Sequence, residues 1–194
     1  GNTASRAGSG YGGGLYMRNM DATVTNNALL GNTAGTLSGA GGGLFVATDY
    51  YTPTSRIAIT GNTFRGNAAA GSGIGTGGGI FMGVYSAIVS PLGTVGADTR
   101  LSGNTIISNT AVYGGGVDMT AASPEIANNV IQRNTASLMG GGVYLRNGSS
   151  PLIFANTFMT NTSYYYGGGL YMDRSAPEVA GNSFQHNDAD TGGA

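Results

Sequence analysis

The sequence predicts an all-β solenoid, a parallel β-helix of about six coils of 25–27 residues with insertions in the first three, running through residues 1–194 as one segment. Two recurring landmarks and one absence predict it. Gly-Gly-Gly triplets begin at Gly12, Gly41, Gly77, Gly114, Gly140 and Gly167, and an aliphatic residue follows each. Between triplets comes an asparagine pair five residues apart, with an apolar residue two places after the first asparagine. No 3.6-residue apolar period survives among 37 glycines in 194 residues, and each glycine costs a helix interior about 1 kcal/mol.

Taken in order, each unit reads as short strands separated by corners. The triplet opens a first strand with two inward columns, Leu15, Leu44, Ile80, Val117, Val143, Leu170 and, two residues on, Met17, Val46, Met82, Met119, Leu145, Met172. A second strand carries Val24, Ile59, Leu101, Ile126, Ile153 and Val179, three residues before the first asparagine; a third carries Leu29, Phe64, Ile106, Ile131, Phe158 and Phe184. Three such strands cannot bury an apolar side alone, but stacked on copies of themselves they enclose one continuous core.

The corners also have a reason. A sharp turn at the triplets wants positive φ and no Cβ. The asparagines, Asn27, Asn62, Asn104, Asn129, Asn156, Asn182 and Asn32, Asn67, Asn109, Asn134, Asn161, Asn187, tolerate the left-handed region and form structural ladders whose side-chain amides hydrogen-bond from coil to coil. Extra residues in the second and third coils, including Tyr50, Tyr51, Pro53, Tyr85 and Pro91, are insertions on the scaffold. Asn2-Thr3-Ala4 aligns with Asn32-Thr33-Ala34, so the pattern extends beyond the first triplet. The expected partners are further coils of the same polypeptide or a copy stacked end to end.

Composition narrows the chemistry. A net charge of -1 with no lysine supplies no basic face for phosphate, which excludes nucleic acid as a partner and removes any P-loop or lysine nucleophile. No apolar run approaches the roughly 18–20 residues that span a bilayer, so no membrane insertion by this segment is expected. Cysteine is absent and His186 is the only histidine, so no metal site, nucleophilic triad or cofactor is expected.

The pairing of Gly-Gly-[Gly/Ala]-[Leu/Ile/Val] with Phe-x-x-Asn, literal at Phe64–Asn67, Phe158–Asn161 and Phe184–Asn187, resembles the repeats of chlamydial polymorphic outer-membrane proteins. More broadly it is similar to the β-helix repeats of bacterial cell-surface proteins in the pectin-lyase-like superfamily. The resemblance implies a right-handed coil, an extracellular or bacterial cell-surface location, and a role as passenger or shaft in adhesion. Some members of that superfamily are polysaccharide lyases or hydrolases.

Candidate functional residues lie on the first strand. Tyr16, Phe45, Phe81, Tyr144 and Tyr171 occupy one column with Asp118, and that aspartate implies a solvent-facing aromatic stripe, a candidate binding face for surface glycans or a partner. Asp118, with Arg146 and Asp173 on the same face, is a candidate acid; the plainer account is a surface Asp-Arg-Asp cluster. The expected function is a non-enzymatic structural or adhesive β-helix segment of a bacterial surface or filament protein. The alternatives are a carbohydrate- or partner-binding module and a polysaccharide lyase or hydrolase.

Overall fold

In the computed structural model, residues 1–48, 56–69, 73–84, 96 and 98–193 are described, and among them every regular element is a strand. The inserted residues Tyr50, Tyr51, Pro53, Tyr85 and Pro91 lie outside them. The strands form four sheets, all pairings parallel, built from successive coils that stay in register apart from one shift between Ala111 and Tyr113. The first sheet follows the triplets: β1 (Leu15–Arg18), β2 (Leu44–Thr48), β3 (Ile80–Val84), β4 (Val117–Thr120), β5 (Val143–Arg146) and β6 (Leu170–Asp173). Leu15, Leu44, Ile80, Val117, Val143 and Leu170 stand in single file along it.

The second sheet runs from Ala22–Thr25 to Glu178–Ala180 and the third from Ala28–Leu30 to Ser183–Gln185. The fourth was not expected. Its strands are mostly short and lie just before the triplets, from Gly10–Tyr11 through Thr110–Tyr113 to Thr162–Ser163. Small residues such as Ala40 and Thr76 in those strands give no apolar alternation to read.

Like packs on like in the interior. The core contains Leu44, Ile59, Phe64, Ile80, Leu101, Ile106, Ile126, Ile131 and Phe158, all fully buried. Phe158 and Phe184 stack at 4.6 Å and 5° between rings. A coil spacing of about 4.8 Å is close to the separation of stacked rings, so aligned side chains touch without interdigitating.

Two asparagine ladders bracket the third sheet. Asn109 shows the repeated unit: its backbone N–H and its Nδ2 both donate to Asn134 Oδ1 of the next coil at 3.0 Å, and Nδ2 also donates to the Phe64 carbonyl of the preceding coil at 3.0 Å. Asn134 repeats this toward Asn161 and Ile106. The first ladder, from Asn27 to Asn182, does the same, with Asn104 donating to Asn129 and to the Ile59 carbonyl. Inner ladder residues are buried, whereas Asn27 is exposed and Asn182 and Asn187 are half-buried. Thr3 bridges Thr33 and Asn2 donates to Asn32 Oδ1, which bears out that alignment.

The left-handed residue at these corners is not the ladder asparagine but the one before it. Positive φ falls at Gly31, Gly66, Ser108, Arg133, Thr160 and His186 before the second ladder, and at Asn26, Gly61, Gly103, Asn128, Ala155 and Gly181 before the first. A Cβ at Gly31, Gly66 or Gly181 would meet nothing within 4 Å, so those glycines serve conformation and not space. The triplets divide the two duties. Gly114 has φ 61°, while a Cβ on Gly115 would lie 2.5 Å from the Thr135 carbonyl oxygen and one on Gly116 2.5 Å from that of Gly142.

Two expectations follow. Asn134→Ala leaves a buried amide donor and a buried carbonyl without partners, and should cost on the order of 3 kcal/mol or more in a urea melt. Asn27→Ala, at the exposed end, should cost under about 1 kcal/mol. Thr160 carries its β-branched side chain at φ 52°. Thr160→Gly should therefore raise stability by about 0.5–1 kcal/mol, and Gly66→Thr should lower it by at least as much in the same melts.

Candidate functional site

The first sheet turns its second and fourth residues away from the core. The second-residue column brings together the predicted stripe, Tyr16, Phe45, Phe81, Tyr144 and Tyr171, with Asp118 between Phe81 and Tyr144. The column faces outward in the pleat, but it is not a solvent-facing stripe. Phe45 is 1% exposed, Phe81 7%, Tyr144 5% and Asp118 0%. Tyr16 at the first coil is exposed and Tyr171 half-buried.

Stacking is the reason for this correction. Tyr16 lies on Phe45 at 5.0 Å and 8°, and Phe45 on Phe81 at 5.1 Å and 9°, so each ring covers the face of the next. Tyrosines of the fourth sheet and its corner lie against these rings: Tyr11 meets Phe45 at 5.3 Å, Tyr113 meets Tyr144 at 5.8 Å, and Tyr166 meets Tyr171 at 5.6 Å. Phe45 and Phe81 join Ala40 and Ala47 in a small apolar cluster separate from the main core. An aspartate in such a column therefore marks direction in the pleat, not exposure.

Asp118 is the electrostatic anomaly of this face. Its Oδ1 accepts from Thr120 Oγ1 at 3.2 Å and from Arg146 Nη2 at 3.4 Å, while Arg146 Nε donates to Thr120 Oγ1 at 2.9 Å. Its Oδ2 is buried without a hydrogen-bond partner. Burial pushes its pKa up to about 6, against the lowering pull of Arg146 and the Thr120 hydroxyl. Burial also pushes the Tyr144 phenol up to about 12, with Arg146 lowering and Asp173 and Asp118 raising it. The Arg146 guanidinium sits 5.6 Å from the centre of the Tyr144 ring.

The expected Asp-Arg-Asp surface cluster is split. Arg146 pairs with the buried Asp118, and Asp173 pairs with Arg174 at 3.4 Å. Glu125 and Glu178 share a column with Leu152 between them, and Glu125 pairs with Arg100 at 3.0 Å on the second sheet. Among the described residues no three of the His, Cys, Asp and Glu side chains gather as a metal site would require. A concavity of about 330 Å³ beside the first coil is lined by Gly14, Leu15, Val24 and Leu29.

One aromatic feature was not singled out as a site. Tyr164, Tyr165 and Tyr166 are 61%, 44% and 39% exposed, with Tyr164 edge-on to Tyr165 at 4.7 Å. Through Tyr166 they connect to Tyr171 and Tyr144, so the exposed part of the aromatic system sits beside the predicted column and not on it. The run Tyr-Tyr-Tyr before the last triplet was its signal in the sequence.

Burial of Phe45, Phe81 and Tyr144 predicts that the column contributes to stability, which one substitution tests. Phe45→Ala should cost about 3 kcal/mol or more in a thermal or urea melt, because it removes the middle ring of a buried stack. A purely ligand-contacting ring would leave the melt nearly unchanged.

No curated protein and no solved structure matches the chain. The family model for the right handed beta helix region matches residues 84–193, more than half of the chain, over the last coils in which the triplets, ladders and sheets recur with the shortest spacing. With the parallel sheets in register and the ladders between them, the chain belongs to the right-handed β-helix family.

Proposed function

We infer that this chain is a non-enzymatic structural segment of an extracellular bacterial surface or filament protein, a stiff spacer made of stacked coils. One observation carries the reading: the inner ladder amides and the inner rings of the aromatic column are spent inside the stack. Inner ladder amides are bonded coil to coil, and Phe45, Phe81 and Tyr144 are sealed against neighbouring rings. Six coils at about 4.8 Å each make a rod on the order of 30 Å long. The resemblance of the triplet and Phe-x-x-Asn repeats to bacterial surface proteins supports the extracellular placement.

The exposed Tyr164, Tyr165 and Tyr166 favour a second reading, a binding face for glycans or another protein, since flat phenolic rings stack well on sugar faces.

Reducing-end assays on a panel of polysaccharides should show no release by the wild-type protein, indistinguishable from Asp118→Asn; release that this substitution abolishes would overturn the non-enzymatic reading. Small-angle scattering should give a monodisperse rod. Retardation of the chain in glycan-containing gels, lost in Tyr164→Ala/Tyr165→Ala, would establish the binding reading instead.

A further inference from the structure

The outer face of the first sheet carries two aromatic stacks, Tyr16–Phe45–Phe81 below and Tyr144–Tyr171 above, and Asp118 is the single break between them. A carboxyl there has an unusual set of partners. It is 0% exposed, in register with two rings, and only one of its oxygens is hydrogen-bonded. Both bonds to that oxygen are long, and Arg146 divides its donors between Asp118 and Thr120.

We propose that Asp118 is a proton-operated joint in the rod: the neutral acid holds the third, fourth and fifth coils closed on their outer face, and the carboxylate loosens them. A buried anion with one unpartnered oxygen is costly, and the cost falls either by protonation, which removes the charge, or by letting water in. The positions directly above and below Asp118 hold the rings of Tyr144 and Phe81, and neither they nor Thr120 and Arg146 bond Oδ2.

The neighbouring groups do not supply a competing switch. On the strands beside Asp118 the one cation is Arg146, with a quarter of its side chain exposed; the phenols are Tyr144 and Tyr113; the nearest carboxylate along the sheet, Asp173, is paired with Arg174. Burial holds the Tyr144 phenol protonated well above neutrality, so it stays uncharged while Asp118 titrates.

The sign follows from proton uptake. The closed state binds the Asp118 proton up to about pH 6, while an opened, hydrated carboxyl would hold it only to about its ordinary value of 3.8. Closure is therefore strongest below about pH 4, weakens as pH rises through this window, and is weakest above about pH 6. A gap of this size lets the opening equilibrium grow by up to about a hundredfold across the window.

Hydrogen exchange read by mass spectrometry between pH 4 and 7.5 tests this on the intact chain, with Asp118→Asn as the reference that cancels the intrinsic pH dependence of exchange. Peptides spanning Val117–Thr120 and Val143–Arg146 should lose protection by ten- to a hundredfold as pH rises in the wild type, but not in Asp118→Asn. Peptides of the second and third sheets should not respond. Arg146→Gln, which removes the cation and keeps the polar stem, should enlarge the loss and move it to higher pH. Identical profiles in wild type and Asp118→Asn, or a loss spread evenly over every coil, would overturn the proposal. If Asp118→Asn fails to fold, an unmoved profile in Arg146→Gln does so.

Discussion

The structure depends on one constraint, that every coil must present to its neighbours the same surface, one strand spacing away. A β-sheet ordinarily satisfies backbone groups and leaves side chains free to differ. Here the side chains at inward corners must also satisfy each other, because they are buried where no water reaches. Asparagine meets the requirement: it is short, it donates and accepts along one line, and its Nδ2 also reaches the carbonyl of the coil behind. A glutamine is one methylene too long for that corner, and an aspartate would stack like charges at the coil spacing. The interior of the rod is therefore polar at two edges and apolar between them, with every coil contributing to both.

The same constraint explains why so few strongly apolar residues suffice. In a globular core the packing partners differ at each position, so side chains interlock to fill space. In this rod a column is filled by aligned repetition, and Phe64, Ile106, Ile131 and Phe158 each bury against the equivalent residue above and below. Glycine is a cost to a strand, but here the second and third triplet positions cannot hold a Cβ because carbonyls of the same coil and the next crowd them. Tightness at that corner lets the fourth sheet pass directly into the first.

Much of this was legible in the amino-acid sequence, and the parts that were not share a cause. The aliphatic columns, both ladders and the register of Leu15, Leu44 and Ile80 could be read because they repeat in identity. The fourth sheet could not, because its residues are small and its alternation is absent. Nor could the left-handed positions before the ladders, where Ser108, Arg133, Thr160 and His186 share no chemistry. They are specified by the geometry of the asparagine that follows, and a corner open to solvent accepts any side chain that tolerates the strain. For the candidate site, period-two reading told which way Asp118, Phe45 and Tyr144 point, but exposure depends on what the neighbouring coils and the adjoining sheet place over them.

That distinction between direction and exposure bears on the whole solenoid. Because rings stack at nearly the coil spacing, an outward aromatic column shields itself, and a second, thinner apolar layer grows on the outside of the sheet. Such a layer adds stability without adding a core, but it also turns any polar residue in the column into a buried one. Asp118 sits at that point: the residue type belongs to a surface, while the position, through no property of its own coil, belongs to an interior. The resulting charge is under-solvated not by a pocket shaped to receive it but by rings one strand spacing away on either side. In a repeat protein a single departure from the column's pattern is therefore felt by both neighbouring coils, which is why one carboxyl among stacked rings can act on three coils at once.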